Sequence, residues 1–160
     1  MFLKNSGNKG FSIIEIIVVI FVLAVAFTGI LTLITFALSI SSITKENTQA
    51  VNIAQETAEA VRNFRDGTNW NSDGLGTKTI GISHYPQKIG GPPPSWTLVQ
   101  GEEVVNGYTR KVVFEDVFRD TNDDIVELGG ALDSDTIKAV ITVSWEDKEV
   151  EIETYFTNWK

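Results

Sequence analysis

Residues 9–38 read Lys9-Gly10-Phe11-Ser12-Ile13-Ile14-Glu15, then IIVVIFVLAVAFTGILTLITFAL. Ile16–Leu38 is 23 uncharged, mainly apolar residues. As a helix it extends about 35 Å at ~1.5 Å per residue. That length spans a hydrocarbon core of about 30 Å with slight tilt. Lys4 and Lys9 are the charges that precede Glu15, and charge of mixed sign returns from Lys45 onward. This distribution places the N-terminus on the cytoplasmic side of a membrane.

Three readings of this segment compete. A secretory signal peptide cut after Ala24-Val25-Ala26 has the small-x-small pattern, but the apolar run continues far beyond Ala26, and Glu15 stands near its start. A plain single-pass anchor leaves Glu15 without a purpose. The third reading treats the basic leader, Gly10, Phe11 and Glu15 as one signal.

That arrangement resembles the class III signal of type IV pilins and pseudopilins. The resemblance implies that a membrane prepilin peptidase cuts between Gly10 and Phe11 and methylates the new amino group of Phe11. It makes Glu15 the assembly glutamate. The family often carries a proline midway along the apolar segment; here Gly29 and Thr32 stand in that region and no proline does.

The chemistry of Glu15 can be read beside the resemblance. An ionised carboxylate in lipid costs up to a few kcal/mol unless it is paired. Phe11 and Glu15 are four residues apart and share a helix face. Cleavage would turn the Phe11 amide nitrogen into a cationic amine, a counter-charge for Glu15 from the same chain or a neighbour. The alternative is that Glu15 snorkels to the headgroups.

Beyond Ser42 the helical pattern turns amphipathic, with Val51, Ala54, Ala58, Val61 and Arg65 on one stripe. Gly67 is a stop signal. One helix is expected from about Phe11 to Asp66, roughly 84 Å long. Its outer stripe is expected to pack on the chain's own sheet, and neighbouring subunits could share it.

Residues 67–107 are rich in glycine and proline and read as loop, with short strands at Thr77–Ser83 and Trp96–Val99. Gly90-Gly91-Pro92-Pro93-Pro94 favours polyproline II. Tyr108–Phe118 reads as a strand. Thr136–Trp145 alternates, with Ile137, Ala139, Ile141, Val143 and Trp145 on one face. Glu149–Thr157 alternates as well, and the Glu146-Asp147-Lys148 turn makes the two a hairpin. The expected fold is α+β: a long N-terminal helix, membrane-spanning in its first half, packed on a C-terminal antiparallel sheet as in pilins. The segments are a leader (1–10), a transmembrane and assembly helix (11–43), its amphipathic continuation (44–66) and a β-rich acidic domain (67–160). Val51–Glu56 with Arg62–Arg65 resembles the post-membrane helix of minor pilins. Asp135–Trp145 and Thr154–Trp159 resemble the C-terminal strands of minor pilin-like proteins.

Composition narrows the function. Residues 67–160 hold 16 acidic and 8 basic side chains, which accounts for the whole net charge of −8. Nucleic-acid binding wants clustered cations and is not indicated. With no cysteine, disulfides, thiol nucleophiles and cysteine-ligated zinc are excluded. The one histidine, His84, excludes any site needing two imidazoles and reads as a surface loop residue. No Gly-x-Ser-x-Gly elbow or phosphate-binding glycine loop occurs. No enzyme and no cofactor is expected.

The acidic run Asp120-Thr121-Asn122-Asp123-Asp124 allows one alternative. Asp120, Asn122 and Asp124 stand at the first, third and fifth positions of a calcium-loop pattern, and Glu127, Asp133 and Asp135 could supply ligands in another geometry. Ile125 and Ala131 occupy the positions where such a loop wants glycine and a bidentate glutamate. The two readings are a Ca2+ site and a solvated hairpin loop.

The resemblance implies a minor pilin or pseudopilin in the inner membrane, its C-terminal domain outside, in a type IV pilus-like filament or a type II secretion pseudopilus. Its partners would be other pilin subunits through the N-terminal helix, the prepilin peptidase, the assembly platform and membrane lipid. The alternatives are a tip or surface subunit that binds or adheres, or a plain anchored β-domain protein.

Overall fold

The computed structural model describes residues 10–91 and 94–159. Residues 1–9 of the expected leader (1–10) and Pro92-Pro93 of the proline run lie outside them. One helix, α1, runs Ile13–Gly67 without interruption. It begins two residues later than expected, because the Ser12 carbonyl accepts the first helical bonds, from the N–H groups of Glu15 (3.0 Å) and Ile16 (3.3 Å). Seven strands follow: β1 (Ser83–Ile89), β2 (Ser95–Gln100), β3 (Glu103–Val105), β4 (Tyr108–Arg119), β5 (Ile125–Val126), β6 (Ala131–Trp145) and β7 (Lys148–Thr157). They form a single antiparallel sheet ordered β2-β1-β4-β6-β7, with β3 and β5 also paired to β4. The fold is α+β, as expected.

The chain divides into two units, Met1–Lys45 and Glu46–Lys160. In the first, every described residue is exposed. Its threonine hydroxyls are satisfied inside the helix: Thr28 donates to the Ala24 carbonyl (2.8 Å), Thr32 to Thr28 (2.9 Å) and Thr35 to Thr32 (2.9 Å). This is how hydroxyls are tolerated where no water is available.

The core lies in the second unit. Ile53, Ala54, Val61 and Phe64 of α1 meet Val112 and Phe114 of β4, Ile137, Ala139, Ile141 and Val143 of β6, and Phe156 of β7. The alternation expected for β6 and β7 holds, with Ile137, Ala139, Ile141, Val143 and Trp145 all buried. The helix stripe is turned from the expected one. Ala50, Ile53, Thr57, Ala60 and Phe64 are buried beside Ala54 and Val61, whereas Val51, Ala58 and Arg65 are only half-buried. Small Ala50, Ala54 and Ala60 let the helix approach the sheet, and Thr57 is admitted because its hydroxyl donates to the Ile53 carbonyl at 2.8 Å. Glu46 ties the start of this helical stretch to the β6–β7 turn through Lys148 Nζ at 2.8 Å.

Residues 67–107 are more ordered than their composition suggests. The strand expected at Thr77–Ser83 is displaced. Leu75–Thr77 forms a 3-10 turn with Leu75 fully buried. Gly81 then takes φ +75°, which glycine adopts without strain, and its N–H donates to the Phe114 carbonyl at 2.9 Å. Extended backbone therefore starts at Ser83. Pro86 lies opposite Leu98 of β2, past the short β1–β4 pairing at Ser83 and His84, so on the β4 side it has no ladder partner. The hairpin β3–β4 turns on Asn106 (φ +53°) and Gly107 (φ +86°), the pair suited to a two-residue turn with both residues left-handed.

Candidate functional site

The first unit presents an apolar helix with one carboxylate. Phe11, Glu15, Ile16, Val19 and Ile20 line a shallow groove of about 280 Å3 along one side of it. Phe11 is 79% exposed, and Gly10 precedes it with no atom near the position of a Cβ. The structure thus brings Phe11 and Glu15 to one groove at helical spacing. A cation at the Phe11 nitrogen and the Glu15 carboxylate would both lie at the start of α1.

The acidic run is organised differently from a cation cage. Asp120 Oδ1 accepts the backbone N–H groups of Asn122 (2.8 Å) and Asp124 (3.0 Å), and Oδ2 accepts from Asn122 Nδ2 (3.3 Å). These bonds hold the Asp120 carboxyl below its ordinary pKa. Arg119 supplies the counter-charge: Nε donates to Asp133 Oδ2 at 2.7 Å and Nη1 to the Asp123 carbonyl at 2.8 Å. Glu127 lies past β5, in the turn toward β6. Among the described residues, no group of three or more histidine, aspartate or glutamate side chains is placed to hold a metal ion.

His84 is not a surface loop residue. It sits in β1, 6% exposed, with its ring tilted against Phe114 at 5.6 Å. Nδ1 lies 2.9 Å from the Ile82 carbonyl, which can only accept, so Nδ1 carries the proton of the neutral ring. Burial pushes its pKa down; the Ile82 bond opposes this and Lys78 adds to it.

Sequence reasoning missed a buried charge. Arg110 on β4 faces the helix, its side chain 7% exposed, and pairs with Glu103 of β3 at 2.6 Å. Nη2 also donates to the Pro86 carbonyl at 3.3 Å, and Glu56 of α1 lies 4.0 Å from Nη1. The Asn106-Gly107 pair was the signal for the β3–β4 hairpin that creates this contact.

The chain is of the class that pairs an N-terminal helix, long and apolar enough to cross a membrane, with an α+β unit. Residues 5–31 match the family described as the prokaryotic N-terminal methylation motif. This motif is the signature of type IV pilins and pseudopilins, and the chain carries it. The motif implies membrane association and assembly with pilin subunits. The family that bears the motif is structural rather than enzymatic. Comparison with curated proteins and with solved structures finds no match.

Proposed function

We propose that the chain is a minor pilin or pseudopilin, a subunit of a type IV pilus-like filament or a type II secretion pseudopilus. In this reading it catalyses no reaction. The prepilin peptidase cuts it between Gly10 and Phe11 and methylates the Phe11 nitrogen. The helix enters the inner membrane with its N-terminus inside, the C-terminal unit lies outside, and the assembly platform moves the processed subunit into the filament.

The observation that carries the reading is Glu15 beside Phe11 in one groove of an exposed apolar helix. Lipid tails are as apolar as isoleucine, so apolar packing between helices supplies little register. A carboxylate paired to a terminal amine where water is scarce supplies a contact at a defined height, costly to mismatch. The pair thus aligns an incoming subunit with one already assembled.

Glu15→Ala tests this. Cleaved protein in membranes should stay near wild type, because cleavage reads the leader and the apolar run. Protein in sheared filaments should fall at least about tenfold, the effect of ~1.4 kcal/mol in pairing. Equal filament fractions for wild type and variant would overturn the reading.

A further inference from the structure

The C-terminal end of α1 and the end of β7 enclose a cleft of about 320 Å3. One wall carries Arg65, Asn69, Trp70 and Asn71, and the other Asn158 and Trp159. We propose that this cleft is a binding site for a neutral sugar ring, a role that goes beyond filament assembly and does not depend on it.

The cleft is built before any ligand arrives. Trp70 Nε1 donates to the Ser134 carbonyl at 3.2 Å. Asn158 donates to the next residue twice, from its backbone N–H to the Asp135 carbonyl (2.7 Å) and from Nδ2 to Asp135 Oδ1 (2.8 Å). Both walls therefore hang from consecutive residues of β6. Asn69 Oδ1 accepts the Asn71 N–H at 3.1 Å and shapes the wall between them. Gly76 keeps Trp70 in place, since a Cβ there would meet Trp70 Cδ1 and Nε1 at 2.6 Å. A preformed site loses little conformational freedom when it is filled.

Charge and donor pattern select the ligand. Among the described lining residues Arg65 is the one formal charge, and it is already paired with Asp66 at 2.9 Å. An anion or a cation therefore gains little. The backbone N–H groups of Asn69 and Asn71 are spent on Asp73 Oδ1 and Asn69 Oδ1, so what the lining amides offer is neutral side-chain chemistry: the Nδ2 groups of Asn69 and Asn71 as donors and Asn158 Oδ1 as an acceptor. Hydroxyl groups donate and accept at once and match such a mixture. Trp159, 64% exposed, adds a broad apolar ring face of the kind that covers the C–H side of a sugar. The volume is at the low end for ligand sites, about 300–1,000 Å3, and suits a single ring. Hydrolysis of a glycoside commonly uses two carboxylates, and none stands among the described lining residues, so the proposed site binds without cleaving.

The test uses the full chain in lipid nanodiscs, free of sugar-headed detergents. Glucose, galactose and N-acetylglucosamine are titrated into the tens-of-millimolar range, with N-acetylneuraminate and glucosamine as charged controls. Saturation-transfer NMR reports binding independently of indole emission. At least one neutral sugar should bind saturably, and more tightly than either charged control. Trp159→Ala and Asn71→Ala, both at exposed positions, should each weaken it at least about tenfold. No saturable response to any neutral sugar would overturn the proposal. So would a response confined to the charged controls, or one that both variants leave unchanged.

Discussion

Arg119 Nε lies 2.7 Å from Asp133 Oδ2, joining the end of β4 to the start of β6 where the register between them shifts after Asp116. Through its second nitrogen the same guanidinium holds the Asp123 carbonyl, so one cation closes the acidic loop over β5.

Acid should loosen this corner. The Arg119 bond, with help from Thr136, holds the Asp133 carboxyl below its ordinary pKa. The unfolded chain then binds the proton more readily than the folded one. The contribution is present above about pH 3.9, the ordinary aspartate value, and is lost as pH falls through the lower folded value. Denaturant titrations at pH 2 to 6 should show a shallower acid slope for Asp133→Asn than for wild type.

Calcium should have no effect on stability. A ligand that binds only the folded state raises its melting temperature by mass action. The oxygens of Asp120 and Asp133 are already engaged by N–H donors and Arg119. Thermal melts with and without millimolar Ca2+ should coincide; a reproducible upward shift, abolished in Asp120→Ala, would instead establish a cation site.

Glu103→Ala should cost about 2 kcal/mol. Removing one partner of a buried pair costs ~3–5 kcal/mol, and the figure is smaller here because Glu103 is about one-third exposed. Arg110→Met should be milder than Glu103→Ala, since it removes the deeply buried charge and leaves only the Glu103 carboxylate, which is about one-third exposed and within reach of water. Chemical denaturation of both variants measures the order.

His84 should make the fold sensitive to mild acid. Its folded pKa is lowered below the unfolded value of about 6.5. Its stability contribution is therefore complete above that pH and declines as pH falls toward the folded value. Replacing it by the apolar His84→Leu should flatten the stability profile between pH 7 and 5, read from denaturation midpoints.

Processing should depend on the residue before the cut. Mass spectrometry of the mature chain is expected to find an N-methylated Phe11, and Gly10→Val should leave the precursor intact and still membrane-bound. A mature N-terminus at Phe27 would instead identify ordinary signal peptidase.

What could be read from the sequence is what local chemistry determines. The apolar run after Glu15, the four-residue spacing of Phe11 and Glu15, and the period-two alternation of β6 and β7 each lie within one segment. Each needs no knowledge of what packs against it. In the glycine-rich stretch the same reading found β2, expected at Trp96–Val99 and running Ser95–Gln100, but not β1 at its place or β3, because those strands exist only by pairing with β2 and β4, and their turns use Gly81 and Asn106-Gly107 rather than a hydrophobic period.

The tertiary structure alone decided which polar groups go inside and what they meet. His84 is buried because β1 lays it on Phe114, and Arg110 because β3 brings Glu103 across from it. The sugar-sized cleft exists because Trp70 and Asn158 both reach β6, across 64 and 23 residues of chain. The physical reason is common to the first two. A buried polar side chain is stable only beside its partner, and these partners are neighbours in space that no pattern along the chain announces.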